Sequence, residues 1–467
     1  MPATATTSSL IPPTMAIWLD SWPCLPEDSL HTFDHSESTS MTQRTITCPT
    51  TFATSRLNIA GVPIAELARQ FGTPTYVYDM SIIEQRVADL AGFGTIRYAQ
   101  KALSNIAILD RLRKLGVVVD AVSAGEIGRA LRAGYVPDSD PVGIVYTADV
   151  FDQAALDLVV RHNLHVNIGS PDMVDQLGNV APGRNITLRI NPGFGHGHSQ
   201  KTNTGGPQSK HGVWHEQVDD CLRRADLYGL VVSGVHMHIG SGTDLEHLSQ
   251  VCAAMEATCR NIGRTITSIS AGGGLPVPYR PEQGYVDIQR YYELWNATRN
   301  RLQDTFGHEV HLEIEPGRYL VAESGFLVAE IRAVKQMGEN TFYLLDAGFN
   351  DLARPILYGS HHPISVCRRD GSIDSRESAV VVGGPLCESG DIFTQEEGGF
   401  VARRLLPHAE VGDFVILEVA GAYGFVMASN YNSKFRPAEV LIEEGQAKLI
   451  RRRETLQDLL ALEIIPA

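Results

Sequence analysis

Between residues 95 and 315 the chain alternates short apolar, β-branched runs with stretches in which apolar residues recur at helical spacing. In the stretch 126–132, for example, Ile127, Ala130 and Leu131 share one face of a helix. The predicted strands are 95–100, 117–122, 142–147, 165–169, 186–191, 232–239, 267–271 and 311–314. This repeated strand and helix unit predicts a (β/α)8 barrel, a fold whose chemistry lies at the carboxyl ends of the strands.

After about residue 325 the helical spacing fades and apolar and polar residues alternate. The strands predicted from this alternation are 327–334, 341–346, 379–382, 413–419, 439–442 and 447–451, with a hairpin turn at Glu444 and Gly445 and a final helix at 455–463. The predicted fold class is therefore α/β. A barrel spans residues 80–324, an all-β, β-barrel-like domain spans 325–467, and the segment 46–79 joins that β domain.

The first 45 residues are rich in Ser, Thr and Pro and show no apolar periodicity. They lack the basic start and apolar run of a secretory signal, and their acidic residues are untypical of a transit peptide. We interpret residues 1–45 as a disordered tail or an over-extended start, with Met41 as the alternative first residue.

Composition narrows the classes of partner and compartment. The 467 residues carry a net charge of −15, which argues against nucleic acid or an anionic membrane as the main partner. No stretch approaches the roughly 18 apolar residues that a membrane span requires. Seven cysteines without CxxC spacing argue against a disulfide framework or a zinc knuckle and favour a reducing cytoplasm.

Lys101 follows the first predicted barrel strand. A lysine at that position is held near the barrel axis and partly desolvated, which suits it to form a Schiff base with an aldehyde cofactor. The alternative is an ordinary exposed lysine, so the assignment depends on the residues that accompany it.

Two glycine-containing segments are candidate phosphate binders. Gly272–Gly274 offer bare backbone N–H groups after the seventh strand, and residues 238–242, with Gly240 and Ser241, offer a hydroxyl and more free backbone after the sixth. The phosphate site of many barrels lies in this sector. A purely structural turn is the alternative for the glycine triplet, and the residues that follow it do not match a dinucleotide-binding pattern.

His236 and His238 lie two residues apart on a predicted strand and therefore face the same side. A metal site would need a further ligand, which His196 or His198 could supply, but no carboxylate or cysteine at a familiar spacing completes one. We predict no metal and instead expect His238 to stack on a flat cofactor ring.

Glu315 follows the eighth strand, two residues before Gly317. A carboxylate at a barrel mouth can keep the pyridine nitrogen of pyridoxal phosphate (PLP) protonated, which makes the ring an electron sink for a carbanion formed by loss of CO2. The alternative, a surface salt bridge, would not require the neighbouring glycine. Cys387, in the β domain, could protonate that carbanion, although an isolated cysteine is more often simply buried.

These residues stand in motifs that resemble the diaminopimelate decarboxylase family of fold-type III PLP decarboxylases. The resemblance runs from about Thr75 to the C-terminus and is carried by YAQKA (98–102), HMHIGSG (236–242), GGGLPVPY (272–279), EPGR (315–318), DAGFNDLARPILYG (346–359), GPLCESGD (384–391) and GAYG…SNYN (421–432). Residues 191–206 and SKHG (209–212) are similar to the enterobacterial-type branch. The departures are the N-terminal tail and residues 425–428, which bear little on the chemistry.

The resemblance implies a role for each matching residue. Lys101 forms the Schiff base, His238 stacks on the ring, Glu315 meets the pyridine nitrogen, and Cys387 donates a proton. The other residues that it implies around the cofactor are Gly240, Ser241, Gly272, Gly273, Gly274, Gly317, Arg318 and Tyr423. Those implied around the substrate are Arg318, Arg354, Tyr358, Glu388 and Tyr423.

The resemblance also implies a homodimer with shared active sites, in which Cys387 and Glu388 reach the site of the neighbouring subunit. The implied reaction converts meso-2,6-diaminopimelate to L-lysine and CO2, the last step of lysine biosynthesis. A related ornithine or lysine decarboxylase, a racemase and a non-catalytic regulatory paralogue are the alternatives. Arg354 and Tyr358 favour a substrate with a second carboxylate; Glu315 disfavours a racemase, and the presence of both Lys101 and Cys387 disfavours a regulator.

Overall fold

A computed structural model describes residues 50–195, 204–238, 244–263, 265–396 and 398–466. The tail predicted for residues 1–45 lies outside this part of the chain. So do the candidate phosphate binders Gly240 and Ser241 and the candidate ligands His196 and His198.

The described chain begins with a short segment before the barrel. Its elements are strands β1 (Asn58–Ile59) and β2 (Val62–Pro63), helix α1 (Ile64–Phe71), strand β3 (Thr75–Asp79) and helix α2 (Met80–Asp89). The side chain of Asp79 accepts a 2.9 Å hydrogen bond from the backbone N–H of Ser81, which caps α2 where β3 ends.

Within the described residues, eight parallel strands form a closed ring, and a ninth short strand, β9, pairs with β8 outside it. The strands are β4 (Thr95–Ala99), β5 (Val118–Ala121), β6 (Ile144–Ala148), β7 (His165–Ile168), β8 (Asn185–Asn191), β9 (Val213–Trp214), β10 (Val231–His236), β11 (Ser268–Ser270) and β12 (His311–Ile314). The ring closes where β12 pairs with β4 and β10 pairs with β8. All eight barrel strands predicted from the sequence are confirmed.

Helices follow the barrel strands. They are α3 (Ile106–Lys114), α4 (Ala124–Arg132), α5 (Gln153–Arg161), α6 (Pro171–Val180), α7 (Val218–Leu227), α8 (Leu245–Ile262), α9 (Ile288–Phe306) and the single turn α10 (Arg318–Val321). Several begin at polar caps, as when Asn105, Ser123 and Asp152 each accept a hydrogen bond from a backbone N–H of the first turn. These caps fix where each loop ends and hence which residues remain at the barrel mouth.

The C-terminal domain is built on a second sheet. Its elements are β13 (Gly325–Met337), β14 (Asn340–Leu345), α11 (Arg354–Tyr358), β15 (Ile364–Cys367), β16 (Glu377–Gly383), β17 (Arg404–Pro407), β18 (Phe414–Leu417), β19 (Ala438–Glu443), β20 (Gln446–Arg451) and α12 (Leu456–Leu460). The long strand β13 pairs with β14, β18 and β3, and β3 also pairs with β19. The predicted barrel with a β domain is confirmed, whereas β15 and β17 were not predicted.

The turn between β19 and β20 has the predicted chemistry. Glu444 and Gly445 both have positive φ angles, 52° and 73°, as a tight hairpin turn requires. Among the helices that the structure describes, none has the length and apolar character needed to cross a membrane.

Candidate active site

A cavity of about 740 Å³ opens at the carboxyl ends of the barrel strands. It brings together predicted residues that lie more than 300 positions apart in the chain. Those that line it are Lys101, His238, Gly273, Gly274, Glu315, Gly317, Arg318, Arg354, Tyr358 and Tyr423. The barrel and loops of the β domain therefore share one site.

Lys101 lies in a 3₁₀ turn, Gln100–Ala102, directly after β4. The backbone N–H of Tyr423 donates a 2.8 Å hydrogen bond to the carbonyl of Ala102, which ties this turn to the GAYG segment of the β domain. The lysine side chain is exposed, because the turn carries it off the strand end into the open cavity. The expectation of a partly desolvated lysine was wrong for this structure, and its amine is accessible to a ligand.

Glu315 is a buried carboxylate held by two donors. Its oxygens accept a 2.6 Å hydrogen bond from His236 Nε2 and a 3.3 Å hydrogen bond from the Ser270 hydroxyl. Burial alone would raise the pKa of Glu315, but His236, with Arg97 and Arg189 behind it, lowers that pKa well below its usual range. Glu315 therefore presents a fixed negative charge to the cavity.

His238 is held as a neutral ring. Its Nδ1 accepts a 2.7 Å hydrogen bond from the backbone N–H of Gly273, so its single proton is on Nε2. Burial lowers the pKa of His238 well below its ordinary value, and the charges of Arg189 and Lys101 lower it further. A flat, uncharged ring fixed by the backbone suits stacking on an aromatic ligand.

The glycine triplet has a packing role as well as a place in the cavity wall. A Cβ on Gly272 would lie 2.5 Å from the Met237 carbonyl oxygen, and one on Gly273 would lie 2.5 Å from the Glu315 carbonyl oxygen. Gly272 also has a φ angle of +61°. Gly273 and Gly274 line the cavity, whereas Gly272 is not among the lining residues and supports the turn beneath them.

Two arginines and a tyrosine form the cationic part of the cavity. Arg318 Nη1 donates a 2.7 Å hydrogen bond to the Tyr279 hydroxyl, and the Arg354 guanidinium lies 4.8 Å from the centre of the Tyr279 ring. Burial alone would raise the pKa of the Tyr279 phenol, but these two cations lower it below its ordinary value. Neither guanidinium pairs with a carboxylate among the described residues, so both can bind an anionic group of a ligand.

His362 orients one of these arginines, and the sequence analysis missed it. Its Nδ1–H donates a 3.0 Å hydrogen bond to the Glu418 carbonyl, and its Nε2 accepts a 3.1 Å hydrogen bond from Arg354 Nη1. Burial lowers the pKa of His362 well below its ordinary value, and the Arg354 charge acts in the same direction. The only signal in the sequence was a histidine pair shortly after Tyr358. Tyr279, the last residue of a quoted motif, was likewise missed as a contact.

Asp120 is a second residue that the sequence analysis missed. It lies at the end of β5, lines the cavity, and has a side-chain oxygen, Oδ1, without a hydrogen-bond partner among the described residues. Burial raises the pKa of Asp120, and the nearby Glu315 charge raises it further. The sequence did contain a signal for Asp120, because this carboxylate lies at the end of an apolar run. Lys101 and Glu315 were identified as candidates from the same kind of position.

Cys387 and Glu388 do not line the cavity of their own chain. Both are exposed, which rules out the alternative of a buried structural cysteine. The backbone N–H of Cys387 donates a 2.9 Å hydrogen bond to the Asn432 side chain, and the Tyr431 hydroxyl lies 3.4 Å from a Glu388 oxygen. The loop is therefore anchored with its thiol facing outward.

The described part of the chain contains no group of three or more His, Cys, Asp or Glu side chains that could hold a metal ion. His236, which could have been a metal ligand, instead holds Glu315 through the hydrogen bond given above.

Comparison with known proteins identifies relatives of this chain. Residues 81–322 match the family model described as pyridoxal-dependent decarboxylase, pyridoxal binding domain. The chain is 54% identical over 404 residues to diaminopimelate decarboxylase of Escherichia coli K12, covering 86% of this chain and 96% of that protein. It is 52% identical over 409 residues to the diaminopimelate decarboxylase of Streptomyces coelicolor, covering 87% and 92% respectively.

Solved structures agree with the sequence matches. A crystal structure of diaminopimelate decarboxylase superposes with a TM-score of 0.83 at 54% identity and covers 85% of this chain and 95% of that one. The Helicobacter pylori diaminopimelate decarboxylase, solved in complex with L-lysine, gives a TM-score of 0.75 at 31% identity, covering 85% and 98%. The chain therefore belongs to the diaminopimelate decarboxylase family of pyridoxal-dependent decarboxylases.

Proposed function

We propose that this chain catalyses the PLP-dependent decarboxylation of meso-2,6-diaminopimelate to L-lysine and CO2, the last step of lysine biosynthesis. The observation that carries the proposal is the pair Arg318 and Arg354. Both are cations without a carboxylate partner among the described residues, and they line the same cavity as Lys101 and Glu315. A substrate with a second carboxylate would satisfy them, whereas ornithine and lysine have none to offer.

The residues of the cavity fit PLP. Lys101 offers an accessible amine, His238 a neutral flat ring, and Glu315 a fixed negative charge for the pyridine nitrogen. Gly273 and Gly274 line the cavity without a side chain, so a phosphate can approach the backbone there, although the Gly273 N–H already donates to His238 Nδ1. When bound, PLP takes up the electron pair that remains when CO2 departs.

Each residue around the cofactor has a proposed role. Lys101 would attach the cofactor, His238 would lie against the ring, and Glu315 would keep the ring nitrogen protonated. The residues proposed to surround the phosphate are Gly272, Gly273, Gly274, Gly317 and Tyr423, together with Gly240 and Ser241, which lie outside the described residues. Of the described members of this group, Gly272 would act indirectly, by supporting the turn.

The far end of the substrate would be held by charge and hydrogen bonds. Arg318 and Arg354 would bind the second carboxylate. Tyr358, which also lines the cavity, would donate a hydrogen bond from its hydroxyl to the same carboxylate. His362 keeps Arg354 in place by accepting a hydrogen bond from one of its N–H groups. This set selects the substrate by the carboxylate at its far end.

We propose that two chains form a homodimer in which each completes the site of the other. The exposed Cys387 of one chain would donate the proton to the reacting carbon, and its Glu388 would bind the far ammonium group of the substrate. The support is that both residues lie outside their own cavity on an anchored loop.

We also propose that the reaction takes place in the cytoplasm, since the described cysteines are all free thiols. Residues 80–324 would bind PLP, and residues 46–79 would act with the β domain 325–467, in keeping with the pairing of β3.

The proposal is tested by measuring CO2 release from meso-diaminopimelate, ornithine and lysine side by side, with added PLP. We expect release from diaminopimelate at a kcat/KM at least 100-fold above that for the other two, since charged hydrogen bonds contribute about 1.5–3 kcal/mol each. Comparable release from ornithine or lysine would contradict the substrate assignment.

A further inference from the structure

A second cavity, of about 450 Å³, lies between the loop after β11 and the β domain. Arg280 contributes from the barrel side, Ser360 and His361 from the loop after α11, and Arg403 and Arg404 from the start of β17. Ser360 lines both this cavity and the active-site cavity. We refer to the second cavity, defined by these five residues, as the arginine pocket.

Positive charge in the arginine pocket is poorly compensated. The guanidinium of Arg280 makes no hydrogen bond or ion pair with any described residue. Among the described residues Arg403 has only Glu339 as a partner, at 3.9 Å, and both side chains are largely exposed, so this pair contributes little. Within the described lining, Glu396 is the one carboxylate that faces three arginines.

Arg404 is the innermost of the three cations. It donates a hydrogen bond to the His362 carbonyl oxygen but forms no ion pair among the described residues. Burial, together with the neighbouring charge of Arg280, lowers the pKa of Arg404 to about 10. A partly buried guanidinium beside a second one is the environment that an anion stabilises most.

The other polar groups of the arginine pocket leave a donor free. Burial and the charges of Arg404 and Arg280 lower the pKa of His361 to about 3, so this ring is neutral. Its Nδ1 lies 3.0 Å from the Tyr279 carbonyl oxygen, which fixes the ring. The Ser360 hydroxyl has no hydrogen-bond partner in the described chain and can donate into the pocket.

We propose that the arginine pocket is a binding site for a small oxyanion with two negative charges, either a phosphate or a dicarboxylate. The planar guanidinium of arginine presents paired donors that match the oxygens of both groups. The feature that points to this assignment is a guanidinium without a carboxylate partner in the described chain. Arg318 and Arg354 of the active site have the same feature. This site goes beyond the proposed decarboxylation and needs no substrate to be bound.

The pocket and the carboxylate-binding arginines are joined by three hydrogen bonds. Arg404 contacts the backbone of His362, whose ring holds Arg354, and His361 contacts the backbone of Tyr279. An experiment must therefore distinguish an anion in the arginine pocket from one bound at Arg354.

Calorimetric titration of the PLP-loaded enzyme with inorganic phosphate, and separately with succinate, provides that test. For at least one of the two anions we expect a site that is distinct from Arg318 and Arg354 and that persists when Arg354 is changed. The double variant Arg280→Gln/Arg403→Gln should weaken binding at least tenfold, because two charge-assisted contacts are lost. A variant of matched charge, Arg290→Gln/Arg332→Gln, changes exposed arginines elsewhere and should bind as the wild type does.

The variant Arg354→Gln separates the two sites and should keep anion binding within about threefold of wild type. Charge reversal at the exposed Arg403 alone, Arg403→Glu, is a second probe and should also weaken binding at least tenfold. Binding of phosphate alone, or of succinate alone, would support the site and identify its class of ligand. The proposal fails if neither anion binds the wild type at millimolar concentration, if the double variant binds as tightly as wild type, or if Arg354→Gln abolishes binding.

Discussion

His236 Nε2 donates a 2.6 Å hydrogen bond to the carboxylate of Glu315 at the mouth of the barrel. Both side chains are almost fully buried, so the bond is formed where water does not compete. It orients the carboxylate and keeps it ionised. In the proposed reaction this fixed charge is what keeps the cofactor nitrogen protonated.

We predict that Glu315→Gln lowers kcat for diaminopimelate by at least 1000-fold, because an amide cannot hold the ring nitrogen in its protonated form. His236→Asn, which removes one hydrogen bond to a charged group, should lower kcat by about 10- to 100-fold. Steady-state kinetics at saturating PLP measure both effects. Equal losses in the two variants would mean that His236 does more than position Glu315.

We expect Arg354 to affect substrate binding, measured as KM, more than turnover, measured as kcat. We expect Arg354→Ala to raise KM for diaminopimelate about 100-fold, the equivalent of two charged hydrogen bonds, with a much smaller change in kcat. His362→Phe keeps a ring but removes the acceptor for Arg354 Nη1, and should raise KM about tenfold. An unchanged KM for Arg354→Ala would rule out its role in binding the second carboxylate.

Much of this arrangement could be predicted from the sequence, for a physical reason. Barrel strands are buried on both faces, so each appears as an apolar run, and the residues that follow such runs must lie at one end of the barrel. Lys101 and Glu315 were found in this way. Asp120 could have been found by the same argument but was not.

Other contacts could not be predicted, because they depend on how distant loops pack. His362 meets Arg354 and Tyr279 only after the loop following α11 folds against the loop after β11. Strands β15 and β17 are four residues each, and their partners, β18 and β16, are 21 or more positions away in the chain. In the proposed homodimer the place of Cys387 depends on a second chain, which no pattern within this one specifies.

Gly273 should tolerate no side chain. Gly273→Ala would place a Cβ 2.5 Å from the backbone oxygen of Glu315, which cannot move cheaply. We expect a loss of about 1–3 kcal/mol of stability and weaker retention of PLP, measured by thermal unfolding and by absorbance after dialysis. Gly284→Ala is the control, because a Cβ there meets nothing within 4 Å. Similar behaviour of the two variants would contradict the packing argument.

The shared site can be tested by mixing two inactive variants. Lys101→Ala lacks the amine proposed to attach the cofactor, and Cys387→Ala lacks the proposed proton donor. If each site takes its cysteine from the other chain, half of the randomly mixed dimers carry one intact site, and activity should recover to about one quarter of wild type. No recovery after unfolding and refolding the variants together would place both residues in a site within one chain.

Asp351 should make stability depend on pH. Burial raises its pKa to about 7 in the folded protein, and Oδ1 has no partner among the described residues. Between about pH 4 and 7 only the unfolded chain releases this proton, so folding loses up to about 1.4 kcal/mol per pH unit as pH rises. Asp351→Asn carries no such charge.

The melting temperature of Asp351→Asn should therefore rise relative to wild type from pH 5 to pH 7 and stay level above pH 7. The matched change at the exposed Asp304, Asp304→Asn, shows the effect of removing one surface charge. A difference between Asp351→Asn and wild type that does not change with pH would contradict the raised pKa.

The most direct test of the central claim is a mass balance on meso-diaminopimelate with PLP-loaded enzyme. We predict one CO2 and one L-lysine for each substrate consumed, with the absorbance of the bound cofactor and the activity both lost in Lys101→Ala. Interconversion of stereoisomers without CO2, or undiminished CO2 release by Lys101→Ala, would contradict the account.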